Sequence, residues 1–353
     1  MNTTFNPPKY RITKPVRLIE LFAGIGSQSK ALEKLGVDFV PWKVCEFDKY
    51  AVASYNAVHG TNFETSDVSK IKGEDLEIVD TDKYDYIMTY SFPCTDLSLA
   101  GRRAGMDRNS GTRSSLLWQV ERLLTETKEL PQILVMENVP QVHSASNMEA
   151  FQDWLSFLQS KGYSSYYKDL AANDYGVPQK RMRCIMVSVL GDYMYKFPKP
   201  LDKISKLDDY LDKIPDPKFY INNKKSKELI DNIIVDKVKL HKGVNSVIIK
   251  GMAGDKYRAE CKPTDISCTL CARDWKGFNN YGQTGIIEMD GEVPTTDNIK
   301  VRRLSTVESW KLMGFTEEDV RKAEKVNSNT QLLKQAGNSI VVDVLVNVFK
   351  ELF

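Results

Sequence analysis

"VRLIELFAGIGSQSKALEKLG", residues 16–36, joins a short apolar run, a glycine turn and a helix-patterned segment without a gap. "VRLIELF" is too short for a buried helix and has the apolar continuity of a strand covered on both faces. "SQSKALEKLG" has helical spacing and stops at Gly36, a residue suited to the left-handed conformation that ends helices. Strand, turn and helix in this order predict one unit of a parallel sheet. In such sheets ligands bind beyond the carboxyl ends of the strands.

The same alternation continues outward. "FVPWKVCEF" (39–47), "YDYIMTY" (84–90), "QILVME" (132–137) and "RCIMVSVL" (183–190) read as further strands. "SSLLWQVERLL" and "FQDWLSFL" place apolar residues on one helical stripe. The pattern predicts an α/β domain with a mostly parallel sheet and helices on both faces. The rhythm breaks at "KFPKPLDKI" (196–204), and the chain to about 300 is rich in Lys, Asp, Gly and Asn. We therefore expect a first domain over 1–190, completed by 330–353, and a smaller one over 191–329.

The 353 residues are 42% hydrophobic and 27% charged, with a net charge of +2 that neither demands nor excludes nucleic acid. No apolar stretch approaches the ~20 residues of a membrane helix, and the N-terminus lacks a signal-peptide core. A cytoplasmic protein with no membrane partner is expected, its six cysteines free thiols. Cys268 and Cys271 invite a zinc reading with Cys261 and His241. In a strand that pair would point to opposite faces and no second close pair exists, so no metal is expected.

Gly24 and Gly26 permit close approach of a ligand to the first turn, and Glu46, twenty residues past Gly26, suits the hydroxyls of an adenosine ribose. Ser29 stands where a dinucleotide motif has its third glycine, which favours a nucleoside without a pyrophosphate. Asp67 is either a bonding partner for the adenine amino group or a helix cap.

"YSFPCTDLSLAGRRAG" (90–105) places Cys94 behind a rigid Phe-Pro lead and ahead of a loop carrying Arg102, Arg103, Arg108 and Arg113. "VMENVP" ends a strand with Glu137, where burial should raise the carboxyl pKa towards a proton donor's range. "YGVPQKRMRC" opens the next strand, and alternation would put Arg181 and Arg183 on one face as a grip for a carbonyl oxygen or phosphate. A thiol, an acid, a guanidinium and an adenosine pocket at adjacent strand ends fit attack on carbon 6 of a pyrimidine, with carbon 5 then able to take a methyl group.

These motifs, in this order, resemble the DNA cytosine-5 methyltransferases of bacterial and phage restriction-modification type. The resemblance implies a Rossmann-like, S-adenosylmethionine-dependent methyltransferase fold with a small target-recognition domain. In "ELFAGIG" it implies a cofactor loop with Phe22 stacked on adenine; Glu46 and Phe47 become ribose and adenine contacts, Asp67 an adenine-amino contact, and Leu116 a cofactor backing. "FPC" supplies Cys94 as nucleophile, "ENV" supplies Glu137, and "QKRMR" supplies Gln179, Arg181 and Arg183. Arg302 in "RRLSTVESWKLMGF" would brace the recognition domain, and Asn338 and Ser339 in "QAGNSIVVDVL" would close the cofactor pocket.

Double-stranded DNA is the implied partner, with the target base flipped out of the helix. Thr95, Arg102, Arg103 and Gln179 would contact it, as would Thr269, Leu270 and Arg273 of "DISCTLCARDWKGFNNYG" (265–282). The implied product is S-adenosylhomocysteine, the implied form a monomer in a bacterial or phage-infected cell, and a cognate restriction endonuclease would act separately. Thr95 replaces the family's common Gln, Ser91 a common glycine, and "STVE" lacks the usual Pro-Arg before Glu308. A tRNA-methylating relative with the same chemistry and a non-catalytic DNA-binding module are the alternatives.

Overall fold

The computed structural model describes residues 7–94, 97, 105–108, 111–202, 205–236, 238–252, 256–259, 264–278 and 282–353. The chain divides into two compact units, Met1–Leu170 with Met182–Lys199 and Val344–Phe353, and Ala171–Arg181 with Pro200–Asp343.

The first unit follows the alternating pattern: β1 (Val16–Leu21), α1 (Ser27–Leu35), β2 (Phe39–Cys45), α2 (Lys49–His59), β3 (Asp85–Tyr90), α3 (Leu117–Glu126), β4 (Ile133–Asn138), α4 (Met148–Ser160), β5 (Tyr163–Ala171) and β6 (Met182–Leu190). They form one six-stranded sheet in the order β2-β1-β3-β4-β6-β5. β2, β1, β3 and β4 run parallel, and β6 runs antiparallel to β4. β3 and β4 are buried along their whole length, which explains their uninterrupted apolar sequence. α3 and α4 set Leu117, Val120, Leu123, Phe151 and Trp154 into the core beside Met88, Tyr90 and Met136.

β5 is absent from the sequence expectations. In "YSSYYKDLA" only Tyr163 and Leu170 are fully buried, so an edge strand has the polarity of a loop. Residues 61–66, before Asp67, have no regular secondary structure.

Register positions the functional groups. Leu21 pairs with Cys45 and with Tyr90, and Tyr90 pairs with Met136. Phe22, Glu46, Ser91 and Glu137 therefore leave four neighbouring strands at one sheet edge. Because β6 is antiparallel, its first residues meet that edge: Asn138 lies opposite Cys184.

The second unit holds a four-stranded sheet, β10-β9-β7-β8, made of β7 (Gly243–Met252), β8 (Lys256–Ala259), β9 (Gln283–Met289) and β10 (Ile299–Arg303). Its pairings are antiparallel. The lysine-rich segment forms α5 (Lys224–Val235), which buries Leu229 and Ile233 against Val247, Ile249, Ile287 and Val301. The remaining helices are α6 (Thr306–Lys311), α7 (Glu317–Glu324), α8 (Asn329–Asn338) and α9 (Val342–Lys350). Gly337 lies so close to residues 271 and 272 that a Cβ there would be 2.2 Å from the Ala272 nitrogen and 2.4 Å from the Cys271 oxygen.

By length and composition alone the stretch Asn329–Lys350 could cross a membrane, a weak sign that buried core helices share. Ser339, extended at φ −74° and ψ 160°, interrupts it, and 61% of the tested window is buried, as in the core helix of a soluble protein.

Arg302, 1% exposed, bonds Glu288 through Nε and Glu308 through Nη1 at 2.9 Å. The Glu308 carboxylate also accepts the N–H groups of Ser305 (2.7 Å) and Asp212 (2.9 Å). Removing one member of such a buried pair strands the other charge away from water. Arg302→Ala should therefore destabilise the protein by about 3–5 kcal/mol, read as a lowered midpoint in urea unfolding.

Candidate active site

The glycine turn after β1 is backbone under constraint. Phe22, Gly24 and Gly26 adopt φ of 58°, 57° and 80°, in the left-handed region. Phe22 carries a side chain there at a cost of order 1 kcal/mol, which the packing of its ring against the core offsets. The two glycines do different work. A Cβ on Gly26 would stand 2.3 Å from His59 Nε2 and 2.6 Å from the Tyr55 ring. One on Gly24 would meet nothing within 4 Å, so the turn presents bare backbone to open space.

Glu46 faces this turn from the end of β2. Its Oε2 accepts the Gly24 N–H at 3.0 Å and its Oε1 the Asp48 N–H at 2.8 Å. Burial lifts its carboxyl above the ordinary range, while the backbone donors at Asp48, Gly24 and Phe47 pull it down. Each oxygen keeps lone-pair capacity for a further donor. Phe47, the next residue, is 77% exposed, an uncovered aromatic face beside a polar acceptor. Asp67 takes the cap-like alternative: its Oδ1 accepts the N–H and hydroxyl of Ser69 at 2.9 and 2.7 Å, bonds that lower its pKa. Leu116 is half-buried against the core at the end of a short 3-10 turn. The open cradle at Gly24, the acceptor at Glu46 and the aromatic at Phe47 fit an adenosyl group.

Beneath the turn lies a network that the motif did not announce. Glu20, fully buried in β1, accepts hydrogen bonds from the Ser29 hydroxyl (2.6 Å), the Ser29 N–H (3.3 Å) and the Tyr55 hydroxyl. The serine in the third-glycine position thus ties α1 to the strand. Burial pushes the Glu20 carboxyl up to about 7 against the pull of these donors. An acid between Ile19 and Leu21 was the available signal.

The lead into Cys94 is pinned from two directions. Asn138 donates its side-chain amide to the Phe92 carbonyl at 3.1 Å, and the Ser114 hydroxyl donates to the Pro93 carbonyl at 2.7 Å. Phe92 is buried, and Cys94 is half-buried against the core with its thiol in no disulfide. Asn138 adjoins Glu137 in sequence, whereas nothing in the sequence linked Ser114 to a proline 21 residues earlier. Thr95, Arg102 and Arg103 lie outside the described residues. Arg108 is packed 4.0 Å over Trp118 and bonded to Glu121 at 2.6 Å, which anchors its part of the loop to α3.

Glu137 and Arg183 meet as the register requires, with Arg183 Nε 3.0 Å from Glu137 Oε1 and both side chains largely buried. Arg181 has a different place from the one alternation predicted, because β6 begins only at Met182. It belongs to the second unit, 3% exposed, and donates to the carbonyls of Leu270 (2.9 Å), Gly337 (3.2 Å) and Ser339 (2.7 Å).

Gln179, expected at DNA, is fully buried in the same unit; its amide donates to the Leu312 carbonyl (2.8 Å) and accepts the Leu270 N–H (3.2 Å). Thr269 donates its hydroxyl to the Lys180 carbonyl, and Leu270 is buried. Arg273 is half-buried and opens a short 3-10 turn in which Trp275 is 39% exposed. Asn338 is exposed, while buried Ser339 donates to the Gln335 carbonyl at 2.8 Å.

Three substitutions test this geometry. Gly26→Ala should cost about 2–4 kcal/mol in urea unfolding, from left-handed strain and overpacking against His59. Gly24→Ala should cost only about 1–2 kcal/mol yet weaken S-adenosylmethionine binding in calorimetry by more than its stability loss suggests. The folded-state value of about 7 for Glu20 lies above the ordinary 4.5, so its contribution is complete below that lower value and is lost as pH rises towards 7. From about pH 5 to about pH 8 the wild type should lose on the order of 2 kcal/mol relative to Glu20→Gln, measured by unfolding at each pH.

The profile of the C-5 cytosine-specific DNA methylase family matches residues 16–353. The type II methyltransferase M2.ScrFI of Lactococcus lactis subsp. cremoris is 30% identical, the match covering 96% of this chain and 99% of that protein. The orphan methyltransferase M.SssI of Spiroplasma monobiae is 29% identical over 94% and 96% of the two chains. Among solved structures, the Entamoeba histolytica methyltransferase EhMeth superposes with a TM-score of 0.71 at 18% identity over 97% of this chain and 98% of that one. The S. pombe Dnmt2 methyltransferase gives 0.68 at 18% identity over 95% and 97%. These structures share the S-adenosylmethionine-dependent methyltransferase fold. With a family match from β1 to the last residue and a relative 30% identical over nearly its whole length, the chain belongs to the C-5 cytosine-specific DNA methylases and is a DNA cytosine-5 methyltransferase.

Proposed function

We propose that the protein methylates carbon 5 of a cytosine extruded from a specific duplex DNA sequence, with Cys94 as the covalent nucleophile. The observation that carries this reading is the pinned Phe92-Pro93-Cys94 segment beside the Glu137–Arg183 pair at one sheet edge. The Cys94 sulfur bonds to ring carbon 6, and the displaced electron pair passes into the ring. Glu137 hydrogen-bonds or protonates ring nitrogen 3, and Arg183 holds the Glu137 carboxyl while reaching for the ring carbonyl oxygen. Fixed donors at the place where charge develops lower the barrier without reorganising during the reaction. Carbon 5, made nucleophilic by that electron pair, would take the methyl group as S-adenosylhomocysteine leaves, and loss of the carbon-5 proton to solvent would then expel the Cys94 thiolate and restore the ring.

Phe22, Gly24, Gly26, Glu46 and Phe47 would hold S-adenosylmethionine, which would supply an electrophilic methyl group; Glu46 would accept from its ribose hydroxyls and Phe47 would cover its adenine. The first unit carries cofactor and chemistry, and the second reads the DNA. Arg273, with exposed Trp275 and Lys276 beside it, is the described surface proposed to meet base edges or backbone. Arg181 and Gln179 serve that unit by holding the Thr269–Leu270 segment in place.

A duplex carrying 5-fluorocytosine at the methylated site should form a stable adduct, because carbon 5 then has no removable proton. Mass spectrometry should show wild type joined to DNA through the peptide containing Cys94, and Cys94→Ser should lower methylation at least about a thousandfold. Full activity of Cys94→Ser, or methylation of tRNA but never of duplex DNA, would overturn the proposal.

A further inference from the structure

We propose that His143, Asp169 and Cys184 form a binding site for a zinc-class divalent cation, separate from the methyl-transfer chemistry. The three residues come from three elements of the first unit: the 3-10 turn after β4, strand β5 and strand β6. One ligand atom from each lies within 4.8 Å of the other two. His143 Nε2 and Asp169 Oδ1 are 3.0 Å apart, close to the ~3.3 Å that two ligands at ~2.0–2.1 Å keep on a tetrahedral ion. A nitrogen, a carboxylate oxygen and a sulfur are the mixed donor set that zinc or cobalt prefers over magnesium or calcium. Three protein ligands leave a fourth position for water.

The surroundings favour a cation. Cys184 is fully buried with the Asp169 carboxylate within 4.8 Å of it, and a coordinating ion removes the thiol proton. Phe151 and Tyr167 pack edge to face at 5.0 Å, and the His143 ring lies 5.5 Å from Tyr167 and 6.2 Å from Phe151. These ring contacts fix the imidazole. The proposed reaction uses none of the three residues.

The test uses the full chain stripped with chelator and titrated with cobalt(II), whose bond to a thiolate gives a near-ultraviolet charge-transfer band. Wild type should bind one equivalent with that band, and zinc should displace it and raise the thermal midpoint. Cys184→Ser should lose the band. His143→Ala, at a half-exposed position that folding tolerates better, should lose it as well. Absence of the band in folded wild type at excess cobalt would overturn the site. So would a band of full intensity in both variants, which would assign the metal to other thiols.

Discussion

Parallel pairing in a shared register is the constraint on which the rest of the molecule depends. Leu21, Cys45 and Tyr90 are cross-strand partners, and Met136 continues the line. Side chains alternate along a strand, so a slip of a single residue would turn each one to the other face of the sheet. Since β3 and β4 are buried throughout, such a slip would set every side chain against the wrong core neighbours, and the residues leaving each strand are fixed by that packing. The reversed direction of β6 completes the arrangement by delivering the beginning of a strand, and so Arg183, to the place where the others end.

Around that edge, rigidity comes from polar contacts made to the backbone. Asn138 and Ser114 grip successive carbonyls of the Phe-Pro lead, and Glu46 grips the glycine turn through an N–H. Ser29 gives a similar service to a buried acid below. Such contacts hold the main chain while leaving the open side of Gly24 unobstructed. The left-handed Phe22 shows that the scaffold tolerates some strain at this turn.

Much of this was legible in the sequence for a physical reason. β1, β3, β4 and β6 are short, largely buried runs and β2 a half-buried one, with turn residues at their ends, and those are the signals that single chains carry best. The glycine turn and the acid after β2 could be named because their spacing is local. β5 was hidden by its half-exposed, polar composition. Arg181 and Gln179 were misplaced because a guanidinium or an amide at a surface and one buried among carbonyls look alike in sequence. Ser114 was missed because its partner is remote in the chain.

Gly337 carries a consequence for how this protein can diversify. Its α-carbon touches the main chain of residues 271 and 272, leaving no room for a methyl group between the two segments. The contact is backbone against backbone, so it is indifferent to the side chains displayed nearby but intolerant of any change in the path of the chain. Side chains along Arg273–Lys276 can therefore change without disturbing this contact. Lengthening or shortening the segment just before them would wedge α8 away from its seat.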